Sequence, residues 1–272
     1  MPELPEVETT RRGLLPHLVG RTIRDVVVRN ANLRWPVPRD LGRHLGGERV
    51  LDIRRLGKYL LLDCRKGHLL VHLGMSGRLT LVPKDLPPRK HDHVDVRLVE
   101  GSKTLRLTDP RRFGAMLWLD TPAERHVLLR GLGLEPLARG FDGEALRRLA
   151  KGRRVAVKQF VMNGRIITGV GNIYASEALF HAGIHPQRSA GRISAARWQR
   201  LAESIRATLE RALAAGGSTL RDFASADGHA GRFQYEFFVY AREGEACRVC
   251  SGPIRALRQG QRSTFYCPRC QR

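Results

Sequence analysis

The chain of 272 residues carries 48 Lys and Arg against 26 Asp and Glu, a formal net charge of +22 at pH 7. With 42% hydrophobic and 27% charged residues it can bury a core, which excludes a basic disordered tail, and its length allows one large domain or two ordinary ones. No apolar run reaches the roughly 18 residues that span a bilayer, and the start MPELPEVETT lacks the basic-then-apolar order of a signal peptide, so a soluble intracellular chain is expected, with a polyanion as its partner.

Residues 2–20 predict a helix. Pro2 and Pro5 suit its first turn, Glu3, Glu6 and Glu8 complement its positive end, and Leu4, Val7, Leu14 and Leu18 recur at helical spacing before Gly20 closes it. A small second residue favours removal of the initiator Met, which leaves the secondary amine of Pro2 at the chain start. An α-amino group titrates at about 7.7–8.0 against about 10.4 for lysine. Pro2 is therefore a candidate nucleophile able to form an imine at a sugar C1′, with Glu3 beside it as acid or base. Read alone, the same Pro-Glu pair is an ordinary helix start.

From about 21 to 120 the pattern turns to short runs: TIRDVVV, RVLDI, KYLLLD, HLLVHL, RLTLV, HVDVRLV, KTLRL and GAMLWL. Eight such strands predict an antiparallel sandwich or barrel, with Glu100-Gly101 at a hairpin turn. Lys58, at a strand start, is a candidate general acid or a solvated strand end. Cys64 reads as a buried apolar residue. Met75 in HLGMSG, and Arg111, Arg112 and Phe113 in DPRRFG, lie in glycine-flanked turns whose tips suit core packing or wedging between base pairs. His91 and His93, beside Lys90, suit a phosphate contact better than a metal.

After Thr121-Pro122 the period becomes helical, with helices expected over 122–130, 143–151, 155–162, 172–182 and 194–215. Trp198, Leu201, Ile205, Leu209 and Leu213 form a core-facing stripe on the last. Backbone N–H groups near Gly171 and Asn172, at a helix start, can hold a phosphate. A Gly-, Ser- and Asp-rich loop runs from Gly216 to Gly231.

Cys247, Cys250, Cys267 and Cys270 form two Cys-x-x-Cys pairs, the spacing of a four-thiolate zinc cage. Two disulfides are the rival, disfavoured in a reducing compartment. With four protein ligands the single Zn2+ is structural. The segment between the pairs can form a hairpin near Gln259-Gly260 that carries Arg255, Arg258 and Arg262 towards phosphates.

MPELPEVETTRRG, GKYLLL, HLGMSG, KHDHVDV, TDPRRFG, GVGNIYASEALF and the four-cysteine terminus together resemble the bacterial formamidopyrimidine-DNA glycosylases over essentially the whole chain. The resemblance implies an α+β multidomain fold: an N-terminal helix plus antiparallel β-sandwich (1–120), a linker with first helices (121–153), a helix-two-turn-helix DNA-binding domain with a lesion loop (154–235), and a C-terminal zinc-finger β-hairpin (236–272). It implies a base-excision repair enzyme, glycosylase and abasic-site lyase, that acts on 8-oxoguanine and formamidopyrimidines in damaged double-stranded DNA. Such an enzyme is expected as a monomer in the bacterial cytoplasm, on the nucleoid and not on a membrane. By resemblance Pro2 is the nucleophile, Glu3 its acid/base partner, Lys58 the proton donor for β-elimination and Arg262 that for δ-elimination. His91, Arg111, Arg153 and Asn172 match DNA contacts, Met75, Arg112 and Phe113 match residues that fill the gap left by an extruded nucleotide, and the loop at 216–231 matches the segment that closes over the base. The alternatives are endonuclease VIII, which prefers oxidised pyrimidines, and a non-catalytic zinc-ribbon DNA-binding protein.

Overall fold

The structure is a computed structural model that describes residues 2–218 and 231–272. Two compact units divide it: residues 1–130 with 213–234, and residues 131–212 with 235–272.

The first unit opens with α1 (Leu4–Leu18), whose start is a reciprocal capping box: the Glu3 carboxylate accepts from the Glu6 backbone and the Glu3 N–H donates to Glu6 Oε2 at 2.8 Å. Eight strands follow, β1 (Ile23–Val28), β2 (Asp52–Leu56), β3 (Tyr59–Asp63), β4 (His68–His72), β5 (Arg78–Pro83), β6 (Asp92–Leu98), β7 (Lys103–Thr108) and β8 (Ala115–Leu119). They form two antiparallel sheets of order β1-β6-β7-β5 and β2-β3-β4-β8. Alternate residues from both sheets, among them Leu60, Leu62, Leu69, Val71, Val94, Val96, Leu105 and Leu107, meet Val7, Leu14 and Leu18 of α1 in one core. This is the sandwich that period-two alternation predicts. A five-residue helix, α2 (Leu41–Leu45), was not foreseen; Leu41 and Leu45, both buried, anchor it.

The helix expected over 122–130 does not form. Only a 3-10 turn at Ala123–Arg125 is present; His126 turns extended and its Nδ1 receives the Leu128 N–H at 3.3 Å, a local bond that replaces the helical one. The other four helices form: α3 (Gly143–Ala150), α4 (Val157–Val161), α5 (Asn172–His181) and α6 (Ala195–Ala214). α4 starts later than periodicity suggests because Ala156 is bridged to Ser189 and the Val157 N–H donates to the Arg188 carbonyl. The second unit ends in a hairpin, β9 (Arg255–Gln259) and β10 (Arg262–Tyr266). It turns at Gly260-Gln261, both with positive φ (51° and 64°), the two-residue geometry that matches strand twist. The described residues 213–218 and 231–234 group with the first unit, whereas the resemblance places them in the domain at 154–235. Among the described residues no helix is long and apolar enough to cross a membrane.

One charge cluster ties α1 to the sheet. Glu8, only 7% exposed, accepts from Arg11 (2.8 and 2.9 Å), Arg12 (3.0 Å) and Arg55 (3.1 Å). Arg11 also donates to the Ile53 carbonyl, and Arg55 to the Gly57 carbonyl in the β2–β3 turn. Burial works to raise the Glu8 carboxyl, but hydrogen bonds from Arg11 and Arg12 and the charges of Arg11 and Arg55 outweigh it and hold it at about 2. Its ordinary value is 4.5, so the ionised group stabilises the fold fully above that pH and loses its contribution as pH falls through about 2. Glu8→Gln is expected to cost about 3 kcal/mol at neutral pH, as breaking a buried pair does, and much less near the acid end. Chemical denaturation at neutral and acid pH checks this; an equal loss at both would refute the linkage.

Candidate active site and metal centre

Pro2 and Glu3 are buried at the start of α1, where the helix dipole is positive. Glu6, one turn on, receives the Ser218 N–H (2.8 Å) and Oγ (3.1 Å) on Oε1, so the foot of the Gly216–Gly231 loop is tied to the capping box. Residues 219–230 of that loop lie outside the described residues.

Lys58 lies in the two-residue turn between β2 and β3, half-buried, where Gly57 supplies the left-handed φ (59°) that such a turn needs first. Because Arg55 bonds both the Gly57 carbonyl and Glu8, the turn that bears Lys58 and the helix that bears Pro2 and Glu3 are cross-linked. His72 was missed from the sequence. Its ring packs on Tyr59 with centroids 4.7 Å apart, and its Nδ1 accepts the Gly74 N–H at 3.2 Å. Burial, and then the charges of Lys58 and Arg34, push it down to about 4, so it is a neutral imidazole beside the lysine turn.

Met75 and Phe113 are 37% and 40% exposed, apolar tips on adjacent turns rather than core residues. Arg111 stacks over the Phe113 ring at 4.9 Å, and Arg111 and Arg112 are exposed. His91 is half-buried; His93 is buried and its Nε2 bonds the Asp109 carbonyl at 2.8 Å, a structural role.

In the second unit Asn172 is joined to the hairpin. Its Oδ1 accepts from Lys158 Nζ at 2.7 Å and its Nδ2 donates to the Ser263 carbonyl at 3.0 Å, while Lys158 also reaches Thr264 Oγ1 at 2.8 Å. Lys158, Asn172 and Arg262 line one cavity of ≈ 200 Å³, and Arg262 is exposed on β10. Arg153 does not line it; it is exposed, with its carbonyl accepting the Gly191 N–H. Lys158, 1% exposed, was passed over in sequence, although a lysine inside the apolar run VAVKQFV is a visible anomaly. Glu177 on α5 was also missed: it accepts the backbone N–H groups of Phe238, Val239 and Tyr240 at 2.8–3.0 Å, which fixes the segment entering the metal ribbon. Burial pushes its carboxyl up against those three donors.

The four cysteines converge as their spacing predicts. Their Sγ atoms all lie within 4.8 Å of one another, with Cys250 to Cys267 at 3.4 Å and Cys247 to Cys270 at 3.9 Å. A tetrahedron with Zn–S of about 2.3 Å places sulfurs about 3.8 Å apart, so the cage fits Zn2+. The Val249 N–H points at Cys247 Sγ (3.4 Å), as in a ligand knuckle. Cys247 and Cys267 pack with Phe180, Val239 and Ile254 in a small core that seats the ribbon on α5. Four thiol donors leave no open coordination position, so zinc bound there supplies structure, not a reacting group. Cys64 is buried, and burial pushes its thiol up to about 12, which leaves it inert.

A two-sheet sandwich headed by the buried Pro2-Glu3 helix start, helices and a four-cysteine ribbon define the class, a zinc-finger α+β protein. Residues 1–116 match the formamidopyrimidine-DNA glycosylase N-terminal domain, 132–224 the formamidopyrimidine-DNA glycosylase H2TH domain, and 244–272 the zinc finger found in FPG and IleRS. A formamidopyrimidine-DNA glycosylase of Methylococcus capsulatus is 59% identical, with both chains covered in full. Among solved structures, a point variant of Lactococcus lactis FPG in complex with a Fapy-dG-containing DNA superposes with TM-score 0.93 at 31% identity, over the whole of both chains. The Thermus thermophilus FPG protein superposes with TM-score 0.89 at 38% identity, over 99% of this chain and 98% of that one. The chain belongs to the formamidopyrimidine-DNA glycosylase family, enzymes that join glycosylase and abasic-site lyase activities.

One zinc per chain is expected, and Cys267→Ala is expected to release it and unfold the β9–β10 ribbon while the sandwich stays folded. Metal analysis with hydrogen exchange of the two units checks this. Full zinc retention by the variant would refute the cage.

Proposed function

We propose that this chain excises oxidised purines, notably 8-oxoguanine and formamidopyrimidines, from duplex DNA and then cuts the strand on both sides of the abasic site. The observation that carries the reading is the buried Pro2-Glu3 start at the positive end of α1, in a chain of this family. Once Met1 is removed, a secondary amine held there is favoured in its neutral, nucleophilic form.

The Pro2 nitrogen attacks C1′ and gives up its proton, the bond from C1′ to the base breaks, and the base leaves with the electron pair and takes up a proton. The bond from C1′ to the ring oxygen then opens, with Glu3 giving the proton to that oxygen, and an iminium joins Pro2 to the sugar. The iminium acidifies C2′; loss of a C2′ proton expels the 3′ phosphate, and a second elimination expels the 5′ phosphate. Lys58 is assigned to proton transfer in the first elimination and Arg262 to the second. Zinc takes part in neither.

The nucleotide must leave the stack before its C1′ can be attacked, at a cost of a few kcal/mol. Met75, Arg112 and Phe113 are assigned to the gap it leaves, and His91, Arg111, Arg153 and Asn172 to phosphates and strand contacts. The loop at 216–231 is assigned to the flipped base. The enzyme is read as a monomer acting on chromosomal DNA in the bacterial cytoplasm.

Borohydride reduction during incubation with an 8-oxoguanine duplex is expected to trap a covalent adduct that maps to Pro2. No adduct from Met-processed protein would leave a zinc-ribbon DNA-binding protein as the better reading. In matched duplexes 8-oxoguanine is expected to be excised faster than thymine glycol; the reverse order would assign endonuclease VIII specificity.

A further inference from the structure

Three segments with candidate DNA contacts meet at one residue, Asp109. Asp109 has no exposed surface. Its Oδ1 accepts from Ser76 Oγ at 2.8 Å, in the turn that raises Met75, and its Oδ2 accepts the Gly114 N–H at 2.8 Å, closing the turn that raises Arg111, Arg112 and Phe113. Ser76 Oγ also accepts the Arg111 N–H at 3.1 Å. The Asp109 N–H donates to the His91 carbonyl at 3.0 Å.

The backbones of the two turns touch. A Cβ on Gly74 would fall 2.4 Å from the Phe113 carbonyl carbon, and one on Gly114 would fall 2.7 Å from the His72 carbonyl oxygen. Arg112 holds a left-handed φ of 56°, a conformation that costs a non-glycine residue energy and persists only where its surroundings impose it; its N–H donates to the Asp109 carbonyl at 3.2 Å.

A carboxylate that merely stabilised one turn would bond within that turn. Here the ties run between turns, Ser76 to Asp109 over 33 residues and Arg111 to Ser76 over 35. We propose that Asp109 and Ser76 are positioning residues that couple the Met75 and Arg111–Phe113 turns into one rigid wedge. The proposal rests on the wedge assignment made above. A tip that fills a gap in a stack must resist restacking of the neighbouring bases, and charge-assisted bonds in a dry site supply the stiffness that two independent turns lack.

Ser76→Ala removes the tie between turns and leaves the Asp109 bond to Gly114 in place. Excision of 8-oxoguanine from a fully paired duplex is expected to fall about tenfold, less than the roughly hundredfold cost of a full ångström of misplacement. Excision from an unpaired bubble, where the nucleotide is already unstacked, is expected to change by about twofold or less. A 2-aminopurine beside the base opposite the lesion, which brightens when the stack opens, is expected to lose most of its rise on binding. Equal losses on duplex and bubble, or an unchanged 2-aminopurine rise, would overturn the coupling. Wild-type protein that excises from the duplex without any 2-aminopurine rise would overturn the wedge assignment itself, and the coupling with it.

Discussion

The Glu8 carboxylate is the constraint on which the first unit depends. A helix packed on a sheet by apolar contacts alone, through Val7, Leu14 and Leu18, is free to slide by fractions of an ångström along its axis. A carboxylate that bonds Arg11, Arg12 and Arg55 at once is not, because each guanidinium bond is directional. Arg55 then carries the constraint to the Gly57 carbonyl and so to the turn of Lys58. The candidate nucleophile and the candidate proton donor thus lie on two elements whose register is fixed by one ion cluster behind them. Catalytic geometry tolerates little slack, and a rigid support of this kind is what a proton transfer between elements requires.

The second unit solves its own positioning problem with buried polar groups of the same sort. Lys158 places a cation among Asn172, Ser263 and Thr264, so α4, α5 and the ribbon hairpin share one hydrogen-bonded centre. Glu177 grips three successive N–H groups just before the first cysteine pair. Loss of Lys158 would leave buried acceptors unpaired, and loss of Glu177 three backbone donors, which costs more than the pairing gains. Zinc holds the far end of the same hairpin. Arg262 is therefore carried on a ribbon fastened at both ends, although its own side chain is exposed.

Much of this was legible in the sequence. The eight strands follow from alternation, since Leu60, Leu62, Leu69 and Val71 repeat at period two, and the metal cage follows from cysteine spacing. Local signals of that kind survive folding because they depend on neighbours within a few residues. Glu8, Lys158, Asp109 and Ser76 were not legible as hubs, because their partners lie 14 to 106 residues away, apart from the nearby arginines of α1 and the residues of their own turn. Glu8 in particular reads in sequence as one more acidic residue near a helix start; only Arg55, 47 residues on, shows that its task is anchoring. The segment at 122–130 failed for the opposite reason: His126 offered a local bond that periodicity does not register.

The net charge acquires a different meaning once these pairs are set aside. Arg11, Arg55 and Arg106 are matched to carboxylates inside the first unit, and Lys158 is satisfied by neutral acceptors in the second. Glu8, Asp92 and Asp95 are in turn all buried against arginine. These internal pairs use arginines as well as carboxylates, so the excess of 48 over 26 is not consumed inside the fold. Arg111, Arg112, Arg153 and Arg262 are among those left exposed. A surface of that composition attracts a polyanion without regard to sequence. Charge alone does not select one damaged nucleotide; on the proposed reading that selectivity falls to the rigid elements, the Pro2-Glu3 start of α1, the lysine turn and the paired tips.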